Sequence, residues 1–139
     1  MKTKTLKASE IKRNWHLVDA QSDTLGRLSV HLANLLSGKS KTDWVPHLDC
    51  GDYVVLTNAA KLKVTGNKAD QKIYRHHTGF PGGLKEIALK DQLIKDPKEI
   101  ILHAVTGMLP KNKLRDQRLS RLKIFNDTKH TFEDKFSKK

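Results

Sequence analysis

Asp52-Tyr53-Val54-Val55-Leu56-Thr57-Asn58 is the stretch whose reading decides the fold. Its apolar residues run without alternation between polar ends, the pattern of a strand covered on both faces. Upstream, Trp15-His16-Leu17-Val18-Asp19 alternates and carries aromatic and β-branched residues, so it reads as a first strand. Between the two, Leu25, Leu28, Leu32, Leu35 and Leu36 recur at spacings of three and four. That is the core-facing stripe of a helix, with Asp23 or Thr24 available to cap it and Gly38 to end it. Strand, helix and continuous apolar strand predict an α/β layered domain with a mostly parallel sheet.

Downstream, Leu62-Lys63-Val64-Thr65-Gly66 predicts a short strand closing at a Gly-Asn turn, and Lys72 to His77 is extended and basic. Thr78-Gly79-Phe80-Pro81-Gly82-Gly83 is a loop, because its three glycines and proline break both regular structures. A helix start follows at Asp96-Pro97-Lys98-Glu99: Asp96 caps, Pro97 takes the first helical position and Glu99 reaches back. Ile100, Ile101, Ala104, Val105 and Met108 form its buried face, and Pro110 stops it. Leu114 to Leu122 predicts a basic helix with Arg115, Arg118 and Arg121 in one row, then a last strand over Lys123-Ile124-Phe125. No ordered structure is expected beyond Asn126.

The chain of 139 residues carries 27 Lys and Arg against 15 Asp and Glu, a formal net charge of +12. A domain this basic repels itself, and its partner is expected to be a polyanion. Residues 61–86 hold six basic and two acidic side chains, residues 111–139 ten and four, and residues 15–60 three and five. The charge is therefore set at the ends and centre, around a near-neutral packing segment. The expected organisation is a single domain over residues 1–139. It has a basic N-terminal arm (1–13), an α/β core (14–125) with a basic loop at 66–83, and a polar tail (126–139). No stretch approaches the roughly 20 apolar residues of a spanning helix. Met1 to Arg13 lacks the apolar segment of a secretory signal, and the single Cys50 excludes an internal disulfide, so a cytoplasmic protein is expected.

His76-His77 is the feature that most invites a catalytic reading. Adjacent residues of a strand face opposite ways, so the pair does not readily share a metal. His47, Asp49, Cys50 and Asp52 match no zinc spacing, and Cys50 before a strand reads as a buried residue. No nucleophile elbow or phosphate-binding loop is present, and neither metal nor cofactor is expected. Beside Lys72 and Arg75 the histidines suit phosphate contact and base stacking. Glycines at 79–83 let backbone amides approach phosphate closely. The strongest basic patch is the row Arg115, Arg118 and Arg121, with Lys111, Lys113 and Lys123 around it. Two rivals stay open at this point. One is an RNA-processing enzyme using His76 or His77 as acid and base with Lys63 or Lys72 stabilising charge. The other is a free-standing regulator binding mRNA or DNA.

Several blocks carry a resemblance. Trp15 to Ala20, Thr24-Leu25-Gly26-Arg27-Leu28, Gly51-Asp52-Tyr53-Val54-Val55 and Asn58-Ala59 open the series. Lys63 to Lys68, Tyr74-Arg75-His76-His77-Thr78-Gly79, Gly82-Gly83-Leu84-Lys85 and Ala104 to Lys111 continue it in order. Together they resemble the universal large-subunit ribosomal protein thirteen family, bacterial form, from about residue 14 to 125. The resemblance implies a three-layer α/β/α fold around a small, mostly parallel sheet. It also implies a non-catalytic protein that binds 23S-type rRNA early in subunit assembly, among neighbouring large-subunit proteins. No small-molecule substrate, membrane or homo-oligomer is expected. The positions implied to face rRNA are Lys61, Lys63, Lys68, Arg75, His76, His77, Thr78 and Gly79, joined by Lys111, Lys113, Arg115, Arg118, Arg121 and Lys123; Lys72, read from its place beside the histidines, is expected to contact rRNA with them. One departure stands out: most bacterial members have a Leu-Gly-Arg turn where this chain reads Leu114-Arg115-Asp116-Gln117-Arg118.

Overall fold

The computed structural model describes residues 6–136; residues 1–5 of the basic arm and 137–139 of the tail lie outside them. In chain order the elements are β1 (Trp15–Asp19), α1 (Leu25–Ser37), β2 (Tyr53–Thr57), α2 (Lys68–Gln71), β3 (Ile73–His77) and β4 (Leu84–Ala88). They continue with α3 (Leu89–Lys95), α4 (Pro97–Met108), α5 (Arg115–Ser120) and β5 (Leu122–Ile124). The chain is mixed α/β. Strands β1, β2 and β5 form a parallel sheet with β2 in the centre, and β3 and β4 form a separate antiparallel hairpin.

The central place of β2 explains its sequence, since Val54, Val55 and Leu56 are all 0% exposed. Leu28, Leu32 and Leu36 of α1 pack with Val54, Leu56 and Leu122 of the sheet and Ile100, Ile101 and Val105 of α4 in one core. Each such side chain contributes about 1.5–3 kcal/mol relative to exposure. Thr24 stands at the N-cap of α1 but makes no side-chain cap hydrogen bond, and Gly38 ends the helix in the left-handed conformation (φ 73°). Asp96 caps α4 by accepting from Lys98 N at 3.1 Å. Glu99 does not reach back to the cap as the sequence suggests; it accepts instead from Gln92 Nε2 at 2.6 Å.

On the opposite face of the sheet the C-terminal segment packs over Trp15, while Leu17 stays 53% exposed. Trp15 stacks on Tyr53 with ring centroids 4.5 Å apart, and Phe132 and Phe136 pack on Trp15 at 5.3 and 6.4 Å. The tail expected to lack order is therefore part of the packing up to Phe136. Its aromatics are spaced irregularly among charges, so no periodicity marks them.

Three other readings change. Leu62 to Thr65 is not a strand; it makes a single parallel bridge between Lys63 and Thr24. Elements α2, β4 and α3 have no counterpart in the sequence reading, in part because buried Gln92 interrupts the apolar stripe of α3. The helix expected over Leu114–Leu122 is confined to Arg115–Ser120. The hairpin, marginal on its own, is tied to the body at its base. Leu89 N donates to Lys72 O (2.9 Å), and the half-buried Tyr74 meets His103 of α4 edge-on at 5.4 Å.

Candidate nucleic-acid interface

Two members of the expected arginine row are not at the surface. Arg118 and Arg121 are 2% and 6% exposed. Arg121 donates to both carboxylate oxygens of Asp49, with Nη2 at 2.6 Å from Oδ1, and also to the backbone oxygens of Leu36 (3.2 Å) and Asp52 (3.3 Å). It thereby ties the C-terminus of α1 to the loop before β2. Arg118 Nε stands 3.6 Å from Asp49, and Arg13 Nη1 3.7 Å. The Arg121 fork, satisfied by carbonyls and a carboxylate inside the fold, is not offered to phosphate, and Arg118 is kept from it by burial beside the same carboxylate. Their helical spacing is that of a basic face, but α5 turns that face inward against α1 and α4.

Burial alone raises the Asp49 carboxyl, but the hydrogen bonds and charge of Arg121, with Arg13, hold it below its ordinary value. Asp52 behaves alike: burial raises it, while Lys41, the Asn14 amide and His16 Nε2 (2.9 Å from Oδ2) bring it down. Both carboxylates are thus paired with internal cations. Among the described residues no group of three or more His, Cys, Asp or Glu could hold a metal ion, and Cys50 is buried.

The exposed cations lie elsewhere. Lys61 and Lys63 are exposed beside Asp19, whose carboxyl is lowered first by the Gln21 backbone amide and the Asn58 side chain and then by these lysines. Lys68 and Lys72, at either end of α2, line a cleft of about 570 Å³ with Arg27 of α1. Lys72 lines a second cleft of the same size with Arg75, His76, Lys85, Lys95 and His103. Its ammonium stands 5.2 Å from the Tyr74 ring centroid, and burial raises the phenol of that tyrosine. Arg75 pairs with Glu86 across the hairpin at 2.6 Å with both side chains well exposed, a contact of about 0–1 kcal/mol that a phosphate can replace.

His76 and His77 occupy successive positions of β3, so they point to opposite faces and do not form one catalytic pair. His77 Nδ1 accepts the Gly79 amide at 2.9 Å. The neutral ring therefore carries its proton on Nε2, outward, as a donor. Thr78 and Gly79 are exposed at the hairpin tip. Lys111 and Lys113 are exposed between α4 and α5, while Arg115 and Lys123 are half-buried. None of these four lines either cleft.

Residues 13–131 match the family described as Ribosomal protein L13. The chain belongs to that family. It is 51% identical over 131 residues to the large ribosomal subunit protein uL13 of Clostridioides difficile (strain 630), covering 94% of this chain and 92% of the relative. The uL13 proteins of Maridesulfovibrio salexigens (52% over 130 residues) and Geobacter sulfurreducens (49% over 131) cover the same shares. No described helix of this L13-family chain is long and apolar enough to cross a membrane. Beside the expected residues, its clefts bring in Arg27, Lys85, Lys95 and His103. Arg27 and His103 sit among the apolar residues of helices, and Lys85 and Lys95 each precede an acidic residue, so only the tertiary arrangement shows that they line these clefts.

Proposed function

We propose that this chain is a structural, non-catalytic constituent of the large ribosomal subunit that binds 23S-type rRNA directly, in the bacterial cytoplasm, and supports early assembly of the subunit. The observation that carries the reading is the exposed basic surface running from Lys61 and Lys63 through Lys68 and Lys72 to Arg75, His76, His77, Thr78 and Gly79. Family membership supplies the ribosomal setting. Lys111, Lys113 and Arg115 extend the surface after α4. Arg118 and Arg121, buried against Asp49, serve instead as an internal brace of the fold.

With few exposed aromatics and most of the charge on long flexible side chains, contact is chiefly with phosphate, sugar and RNA shape. Each neutralised phosphate releases counterions, which makes binding steeply salt-dependent. Neighbouring large-subunit proteins are the remaining partners. Co-sedimentation tests the reading: the protein is expected in the large-subunit fraction of gently lysed cells, and its persistent absence there contradicts it.

A further inference from the structure

We propose that Phe80, at the tip of the β3–β4 hairpin, is a stacking platform for an unpaired RNA base. The proposal rests on the rRNA-binding reading and adds to it a contact that is not electrostatic.

Phe80 is 73% exposed. The other three phenylalanines, Phe125, Phe132 and Phe136, all have aromatic partners, whereas Phe80 has no ring contact among the described residues. Its backbone is nonetheless held firmly. Gly83 N donates to Phe80 O at 2.9 Å, Pro81 and Gly82 (φ 70°) fill the central positions, and the four residues form a type II turn. Thr78 N donates to Gly83 O (3.0 Å) and Gly79 N to His77 Nδ1 (2.9 Å), which closes the loop beneath the turn. A Cβ at Gly83 would stand 2.0 Å from Thr78 Oγ1 and 2.8 Å from Phe80 O, so the tip admits no side chain there.

A rigid loop that projects an aromatic ring into water has already spent the ordering entropy of a contact. The ligand chemistry follows from what surrounds the ring. Arg75, His76, His77 and Lys85 lie on the two strands leading to it, and Glu86, the hairpin's acidic residue, is paired with Arg75. A nucleotide offers an apolar face for the ring and an anionic backbone for those cations. An apolar socket on a protein would gain from the ring but not from the charges. Base–aromatic stacking needs a π-face and is tolerant of base identity.

The test measures affinity of the full chain for a short single-stranded adenosine oligoribonucleotide and for folded large-subunit rRNA, with thermal melts as the folding control. Phe80→Ala and Phe80→Leu are expected to melt like wild type and to bind the single strand roughly ten-fold more weakly, with an unchanged salt slope. Phe80→Trp is expected to keep the affinity, and its added indole fluorescence to be quenched on binding. If wild type binds with a steep salt slope and Phe80→Ala binds equally well, the stacking contact is overturned while the RNA-binding reading stands. Full affinity in Phe80→Leu also overturns it, since an apolar group without a π-face then suffices, as in a protein socket. Failure of wild type to bind either RNA removes both.

Discussion

Asp49 accepts hydrogen bonds from both terminal nitrogens of Arg121, 72 residues further along the chain, and the two side chains are only 10% and 8% exposed. The pair joins the loop before the central strand to the residue leading into the last one, with Arg118 and Arg13 gathered round the same carboxylate. Removing the carboxylate leaves two buried guanidinium groups uncompensated. Asp49→Ala is therefore expected to lose about 3–5 kcal/mol of stability, measured by urea denaturation. A cost within the ±0.5 kcal/mol of ordinary surface substitutions would show that the cluster is not a brace.

Acid is expected to act through the same carboxylates. Asp49 and Asp52 are both held below their ordinary values in the folded state. Groups lowered on folding add stability that is fully present above the unfolded carboxylate value of about 3.9. That contribution is lost as pH falls through their folded values. Melting temperature should hold from pH 7 to pH 5 as far as these groups are concerned, then drop below about pH 4. The acid-sensitive part of the drop should shrink in Asp49→Asn, although that variant starts from lower stability.

Among the glycines, Gly51 leaves the least room for a side chain, because a Cβ there would lie 1.7 Å from Leu36 O. Gly51→Ala must push α1 away from the loop that Arg121 ties to it. The expected loss is at least the 1–3 kcal/mol or so of an overpacked core. Gly26→Ala, where a Cβ meets nothing within 4 Å, serves as the comparison in the same thermal melt.

The C-terminal aromatics should report on their own packing. Phe132 lies 5.3 Å from Trp15, which stacks on Tyr53 over the sheet face away from the helices. Phe132→Ala is expected to red-shift Trp15 emission and cost about 0.5–1.5 kcal/mol beyond the lost burial. Emission unchanged from wild type would place Trp15 in the same environment with or without the tail.

Much of this fold is legible in the residues. The unalternating run at Val54 to Leu56 marks the central strand, the leucines of α1 mark its buried side, and Asp96-Pro97 marks the start of α4. What escaped is set by tertiary contact. The period of Arg115, Arg118 and Arg121 is the same whether a helix faces water or an internal carboxylate, and only the position of Asp49 decides between them. The hairpin's second strand carries Lys85-Glu86 and little apolar alternation, so its pairing with β3 was hidden. Lys72 could be named from composition, but not its place between two clefts. Phe80 lay inside a loop read for its glycines.

The central claim is that residues 61–79 form the electrostatic footprint on RNA. Its most direct measurement is the salt dependence of binding to folded large-subunit rRNA, for wild type and for Lys63→Ala, Lys68→Ala and Lys72→Ala, with Arg118→Met as an internal-position control. Wild type is expected to give a log–log slope of several units, each lysine variant to reduce it by roughly 1, and Arg118→Met to leave it unchanged wherever the protein stays folded. A wild-type slope near zero, or a slope lowered by Arg118→Met and untouched by the lysine variants, contradicts the account.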